Sequence, residues 1–418
     1  MTMNGDVRRL DRNRVRELFD LRANNNAVTG GGYVEDPYPA WHDLREQAAV
    51  HPGVLHELTG VTNSAVYHGL PYPDRPHYTV FTFEACDAVY RNPEVFASAP
   101  SEVNLESAEL RAFNSMLSMG GQRHRRYRGL VQPSFIPKKA EWWIRNWIES
   151  TVHELIDSFI GDGRAELNVD FCAAIPVLTI TGSFGVPVDQ ALDIRASFRE
   201  PSKIIDVLRP IIAARRRAPQ DDLISVLAHA ELRDEDGTVH HLTDAEINSF
   251  SILLLQAGSG TTWKQLGITL TALLERPEIL RAIREDRALL RAAIDESLRW
   301  MPNLPMFSRW VTRDTELFGT QLPEGAVVHL AIGAANRDPA RWERPDDFDI
   351  TRRVIPSLGF GGGPHICLGQ HVARAEMVIA VGALLDRLPN LRLDPDADRP
   401  RIIGMYERGA TEIPVVFG

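Results

Sequence analysis

Cysteine is scarce in this chain: three residues in 418, at positions 86, 172 and 367. Cysteines so few and so far apart provide no disulfide framework and no zinc-type cluster, and they suit a reducing compartment. Positive charge is also in short supply. Lys and Arg number 46 against 56 Asp and Glu, a net charge of −10, which argues against nucleic acid as the main partner. Residues 1–26 are charged and carry no apolar run. The expectation is therefore a cytoplasmic protein with neither signal peptide nor membrane anchor. No internal repeat or low-complexity tract interrupts the chain. What is present is 44% hydrophobic residues, enough to bury a sizeable core in one large domain or two ordinary ones.

The most informative stretch is 360–369, Phe-Gly-Gly-Gly-Pro-His-Ile-Cys-Leu-Gly. Its glycines and proline impose a tight, irregular backbone. A proline-free run of good helix formers follows from His371, so Cys367 stands at or just before a helix N-terminus. There the backbone N–H groups and the positive end of the helix dipole favour a thiolate. A thiolate so placed is a metal ligand or a nucleophile. No further cysteine lies at zinc spacing, and a phosphate loop would need Lys followed by Ser or Thr. A single thiolate facing a flat cofactor fits a haem ligand.

The stretch matches every fixed position of Phe-Gly-x-Gly-x-His-x-Cys-x-Gly, the haem-binding signature of the cytochrome P450s, and the chain resembles the soluble bacterial members of that family. The resemblance covers about residues 33–418. It implies the P450 fold, mainly α with a smaller β region, in a single haem-thiolate domain behind a flexible arm (1–32). It makes Cys367 the axial ligand of haem b. Three further motifs follow in order. His124 and Arg128, at i, i+4 on a helix, resemble the pair that reaches the haem propionates, with Arg309 and His365 as further donors; a guanidinium fork suits a carboxylate. Ala257-Gly258-Ser259-Gly260-Thr261-Thr262 resembles Ala-Gly-x-acid-Thr-Thr, with Thr261 and Thr262 as catalytic residues and Gly260 where the family has an acid. Glu296 and Arg299, at i, i+3, match Glu-x-x-Arg, with Arg352 as third partner. The resemblance also puts Phe360, Gly361, Ala257, Gly258 and Gly369 against the haem. Leu253, Gln256, Ala257, Pro305, Met306, Phe307, Met405 and Tyr406 would line the substrate pocket.

The rest of the chain reads as follows. Residues 1–32, ending in triple Asn and triple Gly, predict a loosely held arm. A helix is expected over 37–47, short strands over 54–58 and 78–82, and a helix over 83–91. Residues 97–119 have no clean period and in the family form part of the pocket. A helix over 141–160 carries Trp142, Trp143 and Trp147 as core aromatics, and a mostly apolar helix spans 171–184. Residues 188–217 are short for the two lid helices of the family and are interrupted by Pro201 and Pro210. Thr243 with Glu246 is a capping box that opens a long helix running to Pro277. Two glycines in its middle point either to close helix packing or to room for dioxygen. Residues 327–330 read as a strand and 402–417 as a hairpin.

The resemblance implies a monooxygenase that inserts one oxygen atom of O2 into a small apolar or amphipathic molecule, and a monomer is expected. No flavin or iron–sulfur motif is present, so electrons must come from outside, from a ferredoxin and its reductase. Arg123, Arg125, Arg126, Lys138 and Lys139 form a basic patch on an acidic protein, a docking face for such a carrier. Gly260 suggests a second reading, a peroxide-driven enzyme. A third, a haem-containing binding protein with little oxygenase activity, is disfavoured by Thr261.

Overall fold

The start of the central helix follows directly from its sequence. Glu246 donates its N–H to Thr243 Oγ1 at 3.3 Å, and the Glu246 carboxylate accepts from the Thr243 N–H at 2.9 Å. This reciprocal cap opens the helix Asp244–Gly260 in the computed structural model, which describes Val7 and residues 10–21, 36–60, 74–99, 116–234 and 236–418. The single long helix expected here is two. It breaks at Thr261 (φ −95°, ψ −46°), and Thr262–Leu274 continues beyond the break. Gly258 and Gly260 weaken the helix before the break. The Thr261 hydroxyl donates to the Ala257 carbonyl at 3.0 Å, a bond that competes with the backbone ladder. Every residue of Thr262–Leu274 is buried, as in a helix surrounded by others.

Those surrounding helices include Ala174–Ser183, Leu289–Trp300 and Gln370–Arg387. The first crosses the central helix where Gly258 meets Ile180: a Cβ on Gly258 would lie 2.8 Å from Ile180 Cγ1. Residues 140–157 form one run of helical turns with a π segment, Ile144–Ile148. Trp142 packs edge to face on both Trp143 and Trp147, the latter at 4.6 Å between ring centres.

A five-stranded sheet forms the smaller region, in the order Val50–Pro52, His77–Val80, Val327–Leu330, Phe307–Val311, Phe96–Ala97. Only the pair 327–330 with 77–80 is parallel. All four residues of Val327–Leu330 are buried, which fits a central strand covered on both faces.

Several expectations need correction. Residues 10–21 are not a loose arm. Asp11 caps a helix, Arg12–Leu18, that buries Val15, and Phe19 follows it onto the edge of Trp263 at 5.4 Å. Residues 55–58 are a helical turn, not a strand, and the strand lies just before them at Val50–Pro52. Pro210 does not interrupt the lid: it lies inside Pro201–Arg217, while Pro201 opens that helix as its first residue. The C-terminal segment is not one hairpin. Ile402–Ile403 pairs with Gly409–Ala410, whereas Pro414–Val416 pairs with Arg392–Leu393 and Arg164–Glu166. Of the predicted pocket stretch 97–119, residues 100–115 lie outside the described residues, as do 22–32 of the predicted arm.

Candidate active site

The cysteine loop is held from both ends. Leu358 donates its N–H to Asn336 Oδ1 at 2.8 Å, and Cys367 donates its own to the Phe360 carbonyl at 2.9 Å. Gly361 and Gly363 take φ of +72° and +63°, and a Cβ on Gly363 would run into the Tyr90 carbonyl oxygen, so only glycine fits there. Gly369 then caps the helix Gln370–Arg387. The Cys367 sulfur accepts from the N–H groups of Gly369 and Gln370. Burial pushes the thiol's pKa up, while these N–H groups, Arg128 and Arg374 pull it down.

Behind the loop, Glu296 fixes three partners at once. Its carboxylate accepts from Arg299 at 2.7 Å, from Arg352 at 3.1 Å and from the Asp349 N–H at 2.9 Å. Arg299 and Glu296 side chains are 4% and 5% exposed. Arg299 spends its remaining donors on the carbonyls of Asn336, Pro345 and Asp347. The segment that orients the cysteine loop is thereby tied to the helix Leu289–Trp300.

The loop opens onto a cavity between the two helical halves around Thr261 and the helix after the cysteine. Its wall takes in Cys367, Phe360, Gly361 and Gly369 from the loop side, and Leu253, Ala257, Gly258, Thr261 and Thr262 from the central helix. His124, Arg128, Phe307, Arg309 and His365 also line it. The histidines stack at 3.9 Å. Burial, with neighbouring His124, Arg309 and Arg128, lowers the His365 pKa to about 3, and burial also lowers that of His124; both rings are neutral at physiological pH. Arg309 lies over the Tyr90 ring at 5.0 Å and donates to the Ser308 carbonyl at 2.8 Å. Arg128 donates to the carbonyls of Pro364 and Ile366 at 3.2 and 2.8 Å. Among the described residues neither arginine is paired with a carboxylate. Two such cations beside two neutral imidazoles, at one end of an apolar slot with a lone thiol on its wall, form a donor set that fits a flat cofactor bearing carboxylates and a metal open to sulfur.

Other predicted residues fall elsewhere. Gln256 donates to the Phe198 carbonyl at 3.1 Å, bracing the lid, and is not on the cavity wall. Pro305 and Met306 also leave the wall to Asn303, Leu304 and Phe307. Met306 is buried instead with Tyr38 and Trp41, as are Met405 and Tyr406. The Tyr406 hydroxyl bonds His56 Nδ1 at 2.6 Å. Gly260 is absent from the wall as well; its Cα faces Arg195. Of the basic patch, Arg123, Arg125, Lys138 and Lys139 are exposed and unpaired by carboxylates among the described residues. Arg123 lies over Tyr127 and Lys139 over Trp142, and Arg126 is half-buried.

Sequence reasoning missed Glu376. Its carboxyl is buried, lines the cavity and is faced by the hydroxyls of Thr179 and Thr262. Burial pushes its pKa up to about 8. The available signal was its spacing: with Val372, Ala373 and Met377 it marks one face of a helix, a carboxyl on an apolar stripe.

A family model described as cytochrome P450 matches residues 193–405. The biotin biosynthesis cytochrome P450 of Bacillus subtilis (strain 168) is 31% identical, with 94% of this chain and 99% of the relative covered. Cytochrome P450 107B1 of Saccharopolyspora erythraea is 35% identical, covering 72% of this chain and 76% of the relative. Among solved structures, P450BioI in complex with acyl carrier protein ligated to hexadec-9Z-enoic acid superposes with a TM-score of 0.76 at 29% identity, over 92% of this chain and 99% of that one. CYP109E1 from Bacillus megaterium in complex with testosterone gives 0.77 at 25%, over 92% and 99%.

Proposed function

The chain belongs to the cytochrome P450 family and is a haem b monooxygenase, and we propose from that premise that it oxidises a small apolar or amphipathic molecule with electrons from a ferredoxin. The observation that carries this reading is the cavity itself: one thiol, Cys367, faces a slot whose upper wall is Leu253, Leu254, Ala257, Ile180 and Phe307. The bound haem supplies activation of dioxygen, and the cysteine's electron density favours O–O cleavage. The chain's own residues do the rest. Arg128, Arg309, His124 and His365 would hold the propionates by charge and hydrogen bonding. The apolar wall excludes water and selects substrates by area buried. Thr261 presents a hydroxyl at the helix break, where turning it from the Ala257 carbonyl toward the cavity would let it pass a proton. The four exposed cations support docking of an acidic ferredoxin, since complementary charge steers encounter. The relatives' ligands, a carrier-bound fatty acid and a steroid, are of the same apolar class.

An optical titration of the ferric protein against fatty acids, carrier-bound acyl chains, steroids, terpenes and aromatic acids tests the reading. A substrate that displaces iron-bound water shifts the spectrum to high spin. No shift with any apolar class, in protein that still gives the family's ferrous–CO spectrum, would reject the substrate class. A second reading, a peroxide-driven enzyme, is favoured by the glycine at 260. Product from peroxide alone, at a rate matching the reductant-driven reaction, would establish it.

A further inference from the structure

The cavity does not account for a group of charges on the other side of the helix break. Gly260 ends the first half of the central helix, and Lys264 stands in the first turn of the second half. Lys264 is paired with the carboxylate of Glu407, which reaches in from the turn between Ile402–Ile403 and Gly409–Ala410. Arg195 arrives from the lid helix Ala191–Ala196, and its Nη1 lies 3.6 Å from where a Cβ on Gly260 would stand. Its guanidinium is sandwiched by the rings of Phe19 and Phe198, at 4.7 and 5.3 Å. Among the described residues it has no carboxylate in direct contact, and Glu407 is the acid whose charge it feels. From the N-terminal segment the Phe19 ring meets Arg195, and Leu21 packs with the Lys264 stem around Gly409. Three charges therefore gather around the helix break, where Gly260, the residue before Thr261, has no side chain of its own.

Monooxygenation requires protons there. The balance RH + O2 + 2e− + 2H+ → ROH + H2O takes its electrons from the ferredoxin of the preceding reading, on which this inference rests, and draws two protons into a cavity lined by apolar side chains. Among the described residues the carboxyl on that wall is Glu376, which is 3% exposed and so is poorly placed to be reloaded from water. The Glu407 side chain is 32% exposed while bound to Lys264. It touches solvent at one end and Lys264 at the other, and among the described residues a Cβ at 260 would meet Arg195 Nη1 alone within 4 Å, so the space beside Gly260 is otherwise open.

We propose that Glu407 is the acid that exchanges protons with solvent on behalf of Thr261, standing in from the C-terminal turn for a carboxylate the central helix lacks. It is a positioning residue that acts through Thr261. Lys264 and Arg195 keep it ionised between proton deliveries; burial alone would raise its pKa, but Lys264 and then Arg195 outweigh burial and hold it below the usual carboxylate range.

The test compares wild type with Glu407→Gln, Glu407→Asp, Glu376→Gln and a Glu407→Gln/Gly260→Asp double variant. Each is loaded with haem and given ferredoxin, reductase and a compound that shifts the wild type to high spin. The readout is the division of reducing equivalents between product and hydrogen peroxide across pH. Glu407→Gln is expected to lower the product share roughly tenfold, less than the ~10²–10⁴-fold of a donor acting directly on the reacting atoms because it acts through Thr261, and to flatten the pH profile. Aspartate at 407, or at 260 in the Gln background, is expected to restore it. An unchanged share in Glu407→Gln with an active wild type overturns the proposal, as does a loss seen only in Glu376→Gln. No product from wild type would sink the monooxygenase reading and this proposal together. A second readout needs no turnover. The wild type's margin in thermal unfolding over Glu407→Gln is expected to vanish as pH falls through the depressed Glu407 pKa; a margin constant with pH would show that the group is not a paired carboxylate and overturn the assignment.

Discussion

Glu376 holds its proton at neutral pH because no cation offsets its burial. An acid with a folded-state pKa near 8 and an unfolded one near 4.5 makes the folded state the better proton binder between those values. Stability is then expected to fall as pH rises through that window, by about 1.4 kcal/mol per unit from this group. Glu376→Gln mimics the protonated form and removes that slope. Melting curves of wild type and variant are expected to agree most closely near pH 4.5 and to diverge up to pH 8, the variant melting higher at the alkaline end; parallel curves would show that Glu376 is ionised in the folded protein. Two other single residues have sharper readouts. Cys367→Ser is expected to abolish the ferrous–CO band typical of thiolate ligation, whatever haem remains. Arg309→Leu removes one of the two cations that face the cavity without a carboxylate, and it is expected to lower haem retention on a desalting column while leaving that band in place in the fraction still loaded.

At the level of elements, the ion-pair node behind the cysteine loop is the most sensitive. Glu296→Ala would leave Arg299 and Arg352 buried without a counter-charge, a loss of about 3–5 kcal/mol. The expected result is protein that fails to hold haem or melts far below wild type; a melting point within a few degrees of wild type would mean that the carbonyls of Asn336, Pro345 and Asp347 suffice for Arg299. Gly258→Val is expected to cost about 1–3 kcal/mol through its clash with Ile180. The same comparison shows what a sequence can reveal. The cysteine loop, the Thr243 cap and the Glu296–Arg299 pair were legible because each is local: spacing along one element determines the contact. Gln256, Pro305, Met306, Met405 and Tyr406 were not, because which of two faces points into the cavity depends on what packs behind it. Met306 and Met405 turn toward Trp41, some 260 residues or more away in sequence. The break at Thr261 was hidden for a related reason. The pattern of apolar residues continues across it, and only the two glycines and the threonine's bond to Ala257 mark the place.

For the whole molecule, net charge and local charge oppose one another. The chain carries −10 overall, yet Arg123, Arg125, Lys138 and Lys139 stand exposed without a carboxylate partner among the described residues, and Arg128 of the same helix as the two arginines grips the cysteine loop. If that face receives the electron carrier, Arg125→Glu with Lys138→Glu is expected to slow reduction by an acidic ferredoxin several-fold at low salt and to weaken the dependence of the rate on ionic strength. Equal salt dependence in wild type and variant would move the docking face elsewhere. No single helix among the described residues is long and apolar enough to cross a membrane.

The contact between Phe19 and Trp263 also sets an order of events during synthesis. Phe19 leaves the ribosome about 240 positions before the ring it will rest on, and at 5–20 residues per second that is a wait on the order of tens of seconds. Until residues 158–193 emerge the helix Arg12–Leu18 has its cap and little else, too little for a segment so short; Arg12, Arg16 and Arg14 can then reach Ser158, Asp170 and Asp193. The Phe19 ring is thus among the last parts of the N-terminal segment to find its place, and it does so against Trp263 on one side and Arg195 on the other.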